Sequence, residues 1–252
     1  MKPILYHKFR YPLPYAPTLL LQQQIHQAQL ATRRVRPEAH KDVLLLLEHR
    51  PVYTAGRRQT EEEVALERSR LTGLGADFVL TQRGGQITYH GHGQIVGYPL
   101  MDLGRYQPSM GIRDYICKMQ KTMVTLLKDE YGIASVPSDN TGVFLSDTAK
   151  IGSIGVQVRH RLTTHGFALN VTRDPLDWFS QVVACGLADV RAECMENALG
   201  RPITVDEIIP SLVKTFGKVY GREMEEMDPD REGEIGQLIR EMEKDRASDG
   251  YR

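Results

Sequence analysis

Between two apolar, strand-like runs, Phe78-Val-Leu and Ile95-Val, the chain reads Arg83-Gly-Gly-Gln-Ile-Thr-Tyr-His-Gly-His-Gly-Gln-Ile-Val-Gly-Tyr, with glycine at 84, 85, 91, 93 and 97. This stretch limits the fold more tightly than any other. Glycine takes positive φ without steric cost and lets another backbone or a ligand come close to the main chain. A tight hairpin requires one or two such residues, not a series. Two readings stand. One is a long turn whose histidines are hydrogen-bonded. The other is a ligand-lining loop in which main-chain N–H groups and Arg83 hold a carbonyl, carboxylate or phosphate.

The rest of the chain sets the context. At 252 residues it suits one α/β domain with a sizeable core. Lys and Arg (32) balance Asp and Glu (32), so no net charge draws in DNA or an anionic membrane. The longest apolar run, Val43 to Leu47, is a buried strand's length and far short of the roughly 18 residues of a membrane span. The expected partners therefore exclude nucleic acid and membrane, and the chain reads as a monomer. Cys117, Cys185 and Cys194 form no spaced framework, as in a reducing compartment. The N-terminus runs quickly into a strand, with neither a secretory signal nor a long Arg- and Ser-rich presequence.

Residues 3–9 read as a first strand and 18–35 as a helix with Leu21, Ile25 and Ala28 at helical spacing. Residues 61–71 read as a short charged helix. Strands 77–82 and 94–101 enter and leave the Gly-rich stretch. Residues 109–131 form the clearest amphipathic helix, with Ile112, Tyr115, Ile116, Met119, Met123, Leu126 and Leu127 on one stripe and Cys117 part-buried beside it. Strands are expected at Val143-Phe-Leu and after Lys150, with His165-Gly-Phe-Ala-Leu-Asn-Val as an antiparallel neighbour. Thr204-Val-Asp-Glu opens a capped helix that Gly217 should end. Beyond Gly221 the chain holds eleven acids and six bases, so a solvated helix or partly disordered tail is expected. The expectation is a catalytic domain over 1–220, with a mixed, largely antiparallel sheet flanked by helices, and a charged tail over 221–252.

Cys185 and Lys150 are the candidate catalytic residues. A lone cysteine before a glycine is either a packed thiol or a nucleophile, and a nucleophile needs a nearby cation or base. Lys150 sits in an apolar, glycine-spaced segment, Ala149-Lys-Ile-Gly-Ser-Ile-Gly. It is either a solvent-facing strand end or an amine turned into a pocket, where it could shuttle a proton. His90 and His165 are alternative bases or hydrogen-bonded core residues. His90-x-His92 with Cys185 lacks the spacing of a zinc site. An acyl-adenylate would also suit Arg83 and its glycines, although the P-loop pattern is absent.

Three blocks, in this order and spacing, resemble one family: Arg83-Gly-Gly-Gln-Ile-Thr-Tyr-His-Gly-x-Gly-Gln, Lys150-Ile-Gly-Ser-Ile-Gly-Val with His165-Gly-Phe-Ala-Leu-Asn-Val, and Val183-Ala-Cys-Gly-Leu. The chain resembles the lipoyl(octanoyl) transferases of lipoate biosynthesis from about Tyr6 to Tyr220. Pro51-Val-Tyr-Thr-Ala-Gly and Asn140-Thr-Gly-Val fit the same pattern. The resemblance implies the fold of lipoate and biotin protein ligases, with an acyl tunnel beside the Gly-rich loop. It implies transfer of octanoyl from octanoyl-acyl carrier protein to a lysine of lipoyl domains of 2-oxo acid dehydrogenase complexes or of the glycine cleavage H protein. Cys185 would carry the acyl-thioester, Lys150 would make that thiol more acidic, and no cofactor would be needed. Substrate-binding positions map to Arg83, Gly84, Gly85, Gln86, Ile87, Thr88, Tyr89 and His90, to Ser153, Ile154 and Gly155, and to Gly166, Phe167 and Ala168. Eukaryotic members imply mitochondria, bacterial ones the cytoplasm.

Some positions depart from the family pattern: His92 and Ala184 stand where proline is usual, and Glu193-Cys194 where Thr-Ser is expected. Cys194 then reads as a second thiol near the site or a Ser-like replacement. The rival readings are an ATP-dependent lipoate or biotin ligase of the same fold and a non-catalytic acyl-binding protein. An exposed basic rim of Arg57, Arg58, Arg159 and Arg161 is expected to receive the acidic acyl carrier.

Overall fold

The computed structural model describes residues 1–182 and 189–248. Strand β1 (Ile4–Lys8) leads into helix α1 (Tyr15–Val35), which begins three residues earlier than its spacing predicts because Pro14 is extended and supplies the N-cap. The all-buried β2 (Asp42–Leu47) and β3 (Val52–Ala55) follow. Helix α2 (Glu61–Gly73) opens on a capping box between Thr60 and Glu63. Then come β4 (Asp77–Leu80), β5 (Thr88–His90), β6 (Gln94–Leu100) and α3 (Ile112–Thr125), which runs on into a π turn over Leu126–Glu130. The second half contains β7 (Val143–Ser146), β8 (Ala149–Arg159), β9 (Leu162–Asn170), α4 (Asp174–Phe179), β10 (Arg191–Ala192), α5 (Met195–Leu199), α6 (Val205–Tyr220), β11 (Met224–Glu226) and α7 (Gly233–Ser248).

Among the described residues the main sheet has eight strands, in the order β10-β8-β9-β6-β2-β1-β11 with β7 paired to β8. Its central pairs, β2 with β6, β6 with β9 and β8 with β9, are antiparallel. The pairs of β1 with β2 and β11, and of β8 with β10, are parallel. A second sheet, β4-β3-β5, stands apart from it. Side-chain alternation explains why β2 reads as uninterrupted leucine. Leu44 and Leu46 join one core with Met119 and Met123 of α3 and Ile208, Leu212 and Phe216 of α6. Val43, Leu45 and Leu47 join a second core with Leu21 and Ile25 of α1 and Ile239 of α7. Among the described residues no helix is long and apolar enough to cross a membrane.

Three expectations are corrected by packing. Cys117 is exposed, because two residues along a helix from Tyr115 turn it about 200° from the buried stripe. Helix α6 passes through Gly217 and ends at Gly221 (φ 65°). At Gly217 a Cβ would lie 2.7 Å from Met224 Cγ and 2.8 Å from the Arg222 carbonyl, so this glycine serves close approach and not termination. The segment after Gly221 joins the sheet through β11 and lays α7 against α1. Its few apolar residues fall on one face: Ile239 is fully buried, and Ile235, Leu238 and Met242 pack around it. Arg222 anchors its start, Nη1 donating to Asp42 Oδ2 at 2.9 Å with both side chains out of solvent.

Candidate active site

The Gly-rich stretch is the crossing between the two sheets. Strand β5, inside it, pairs antiparallel with β3 (Tyr53 opposite Tyr89), whereas β6 belongs to the main sheet. The crossing brings backbones too close for side chains. A Cβ on Gly56 would lie 1.9 Å from the Gly85 carbonyl oxygen, and one on Gly155 would lie 3.1 Å from both the Gly84 oxygen and Arg83 Cδ. The Arg83 loop is thus pressed between β3 and β8, and the Gly84 N–H donates to the Val156 carbonyl at 3.1 Å.

Arg83 is buried and organises that loop. Nη2 donates to the Thr54 carbonyl (2.6 Å), Thr54 Oγ1 (2.7 Å) and the Gln86 carbonyl (2.9 Å), and Nη1 donates to the Gly84 carbonyl (2.9 Å). Its guanidinium thus supplies the donors that two strands and a turn need to meet.

A cleft opens beside the loop, with about 420 Å³ of atom-free space including its mouth. Arg83, Gly85, Thr88 and His90 line one side; Ser153, Ile154, Gly155, Gly166, Phe167 and Ala168 line the other. The last six are three cross-strand pairs of β8 and β9: Ser153 with Ala168, Ile154 with Phe167, and Gly155 with Gly166. Two sequence blocks therefore meet by register. Gly84, Gln86, Ile87 and Tyr89 do not line the cleft. Ile87 and Tyr89 are buried in the core of the second sheet, on the face opposite Thr88 and His90 as alternation requires, and Gln86, ahead of β5, is exposed. The sequence reading missed Tyr15, Val96 and Tyr98 as lining residues, and took His165 as a base or a hydrogen-bonded core residue and not as part of the lining.

The histidines here are held neutral. Burial pushes His90 and His165 down to about 3, and His49, behind His90, to about 4. The Arg83 guanidinium adds to the effect on His90 and His165. His49 Nδ1 faces the Leu13 carbonyl at 2.9 Å, so it carries the proton, and Nε2 accepts from the Tyr98 hydroxyl at 2.7 Å. Groups so reluctant to ionise are hydrogen-bond partners and poor general bases at neutral pH.

Lys150 is buried at the start of β8, which removes the reading of a solvent-facing strand end. Nζ donates to the Thr141 carbonyl at 3.1 Å and lies 5.4 Å from the Phe144 ring centroid. Gly142 (φ 137°) makes room: a Cβ there would lie 2.6 Å from Lys150 Cε. Lys150 precedes Ser153 by three residues, about 10 Å of strand. Cys185, with Val183, Ala184 and Gly186, lies outside the described residues. Its flanks are placed: Val182 packs on the second-sheet core, and the Arg191 N–H donates to the Thr148 carbonyl at 2.9 Å as β10 pairs with Ala149 and Lys150.

Cys194 is the N-cap residue of α5, its thiol fully buried and pushed up by that burial, as suits a packed Ser-like residue. His92 is half-buried in a turn whose Gly93 N–H donates to Glu48 Oε1 at 2.6 Å. Arg57 and Arg58 are exposed beside the Arg83 loop, whereas Arg159 and Arg161 are exposed at the far end of β8. Among the described residues no three or more His, Cys, Asp or Glu side chains gather as metal ligands would.

The fold is the one found in lipoate-protein ligases. A lipoate-protein ligase A crystallised with ATP superposes with a TM-score of 0.65 at 18% identity, covering 96% of this chain and 94% of that one. A bipartite lipoate protein ligase from Thermoplasma acidophilum gives 0.66 at 19% identity, covering 96% and 92%. The chain belongs to the lipoyl protein ligase A/B catalytic domain family, whose profile matches residues 18–217. Among its relatives are the octanoyltransferase of Caldicellulosiruptor saccharolyticus, 38% identical over 82% of this chain and 85% of that one. The mitochondrial octanoyl-[acyl-carrier-protein]:protein N-octanoyltransferase of Danio rerio is 39% identical over 82% of this chain and 88% of its own length.

Proposed function

We propose that the protein is an octanoyltransferase of protein lipoylation that works through a thioester on Cys185. One observation carries the reading: Arg83, Gly85, Thr88 and His90, with 153–155 and 166–168, remote in sequence, line one cleft a short way along β8 from a buried lysine. Its relatives' octanoyltransferase names support the same reaction. From Cys185 to Arg191 there are six steps of chain, a reach of at most about 20 Å, which leaves the thiol able to approach Lys150.

The Cys185 thiolate attacks the octanoyl carbonyl of the acyl carrier's thioester. A C–S bond forms to Cys185, and the bond to the pantetheine sulfur breaks. Lys150 takes the Cys185 proton and returns it to the departing sulfur. The amine of the acceptor lysine then attacks, an amide forms, Cys185 leaves as thiolate, and Lys150 collects the amine's proton. Loop N–H groups stabilise the oxyanion in both steps. A thioester is already activated, so no nucleotide and no cofactor enters. Burying the chain at about 0.8 kcal/mol per methylene gives the cleft its grip.

The donor is octanoyl-acyl carrier protein, with Arg57 and Arg58 on the docking side. The acceptors are lipoyl domains, including those of 2-oxo acid dehydrogenase complexes and the glycine cleavage H protein, met by a monomer. The setting is mitochondrial in a eukaryote and cytoplasmic in a bacterium. The test is octanoyl transfer to a lipoyl domain in nucleotide-free buffer. Lys150→Met should slow it about 10²–10⁴-fold, the share general acid–base catalysis supplies. Transfer that requires ATP and survives Cys185→Ala would instead make the protein a ligase. Octanoyl binding without turnover would make it an acyl-binding protein.

A further inference from the structure

A line of buried amides crosses the main sheet from the cleft to the strand beside Lys150. Gln94 of β6 and Asn170 of β9 are register partners, both buried. Asn170 Nδ2 donates to the Glu193 carbonyl at 3.0 Å, and Gln94 Nε2 donates to Asn170 Oδ1 at 2.8 Å. Gln94 Oε1 faces His90 Nδ1 at 2.7 Å. The Glu193 N–H in turn donates to the Lys150 carbonyl at 2.8 Å.

The direction of this line is fixed at one end. A main-chain carbonyl can only accept, so Asn170 must present its NH₂ to Glu193 and its oxygen to Gln94. Gln94 must then present its NH₂ to Asn170 and its oxygen to His90. An amide oxygen can only accept, so the His90 proton resides on Nδ1 and Nε2 is a bare lone pair. We propose that Gln94 and Asn170 are positioning residues for acyl transfer: they lock His90 as the Nδ1–H tautomer, so that it offers the cleft a permanent acceptor for a substrate N–H, and they pin the Glu193 main chain against Lys150. This rests on the octanoyltransferase reading and adds to it residues outside the cleft's lining. It also explains why two buried amides sit among apolar strands, where an unpaired one would be costly.

The experiment pairs a spectroscopic readout with a kinetic one. In histidine-¹⁵N-labelled protein, His90, assigned by its loss in His90→Gln, should show a protonated Nδ1 and an unprotonated Nε2, unchanged from about pH 5 to 8. Gln94→Glu sets a carboxylate against Nδ1–H in a neighbourhood that also holds Arg83, His49, His165 and the stacked Tyr15 ring. His90 should then begin to titrate in that range, and acylation of Cys185 should acquire the same pH dependence. Asn170→Asp keeps the side chain's size but faces an acceptor to the Glu193 carbonyl. It should slow acylation by about 10²-fold, the scale of a misplaced reacting group, with the KM for the donor little changed. An Nε2-protonated His90 in the wild type overturns the proposal even if a variant fails to fold, and so does wild-type acylation in both variants. If the wild type does not acylate at all, the octanoyltransferase reading fails, and the tautomer still reports on the relay.

Discussion

Gly97→Ala probes the cleft wall directly. Gly97 on β6 stands opposite Phe167 on β9, and the Phe167 ring lies across it. A Cβ at Gly97 would fall 2.3 Å from Phe167 Cζ and 2.5 Å from Cε1. Carbon–carbon contacts settle at about 3.5–4.0 Å, so the ring must retreat by about 1.2 Å. Phe167 is buried and lines the cleft, so the retreat disturbs both core and site. Overpacking of this kind costs about 1–3 kcal/mol. At about 2–4 °C per kcal/mol for a chain of this size, Tm should fall by about 2–12 °C. The same shift should alter acyl-length preference, read as the ratio of transfer rates from octanoyl and shorter donors. Each methylene gained or lost from contact is worth about 0.8 kcal/mol, roughly fourfold. Gly166→Ala should be worse, since its Cβ would meet the Gly97 main-chain oxygen at 2.0 Å and not a movable ring. An unchanged Tm together with an unchanged length preference in Gly97→Ala would refute Phe167 as the wall.

Three further outcomes follow from the packing. Arg222→Leu leaves the buried Asp42 carboxylate only the Asp102 N–H at 2.8 Å and the more distant Arg105 Nη1 at 3.8 Å; denaturant titration should show a loss of about 3 kcal/mol, the low end for a broken buried pair, and a loss below about 1 would mean the pair does not hold the C-terminal segment. His49, His90 and His165 are pushed down to about 4, 3 and 3 from 6.5, so below about pH 6.5 the unfolded chain takes protons that the fold refuses. Stability should be fully present above that pH and fall as it is lowered, by up to about 1.4 kcal/mol per pH unit for each histidine; His49→Gln should flatten the slope by one proton, and an unaltered slope contradicts the assignment. In Cys185→Ala, a thiol reagent should modify Cys117 in the native protein and Cys194 only on unfolding; equal rates would contradict their placement.

Much of this was legible in the sequence where local chemistry and tertiary packing agree. The α3 stripe, the β2 leucines and the Thr204 cap act through contacts whose spacing the chain displays. The cleft was legible through its glycines, because backbones approach closely at Gly56 and Gly155 and Gly85 sits at positive φ (85°). Strand β5 was hidden, since three residues inside a Gly-rich stretch carry no periodicity and gain their strand from β3. The packing of β11 and α7 was obscured by charge: a few apolar side chains and the Arg222–Asp42 pair decide it, and neither raises mean hydropathy. Tyr15, Val96 and Tyr98 reach the cleft from α1 and β6, whose sequences read as ordinary scaffold. The Gln94–Asn170 relay joins amides 76 positions apart that only strand register brings together.

Intact-protein mass spectrometry after mixing with octanoyl-acyl carrier protein tests the central claim most directly. The account predicts one octanoyl group added to the wild type, removed by hydroxylamine, absent in Cys185→Ala and slow to form in Lys150→Met. No adduct on the wild type, or one that persists in Cys185→Ala, would contradict it.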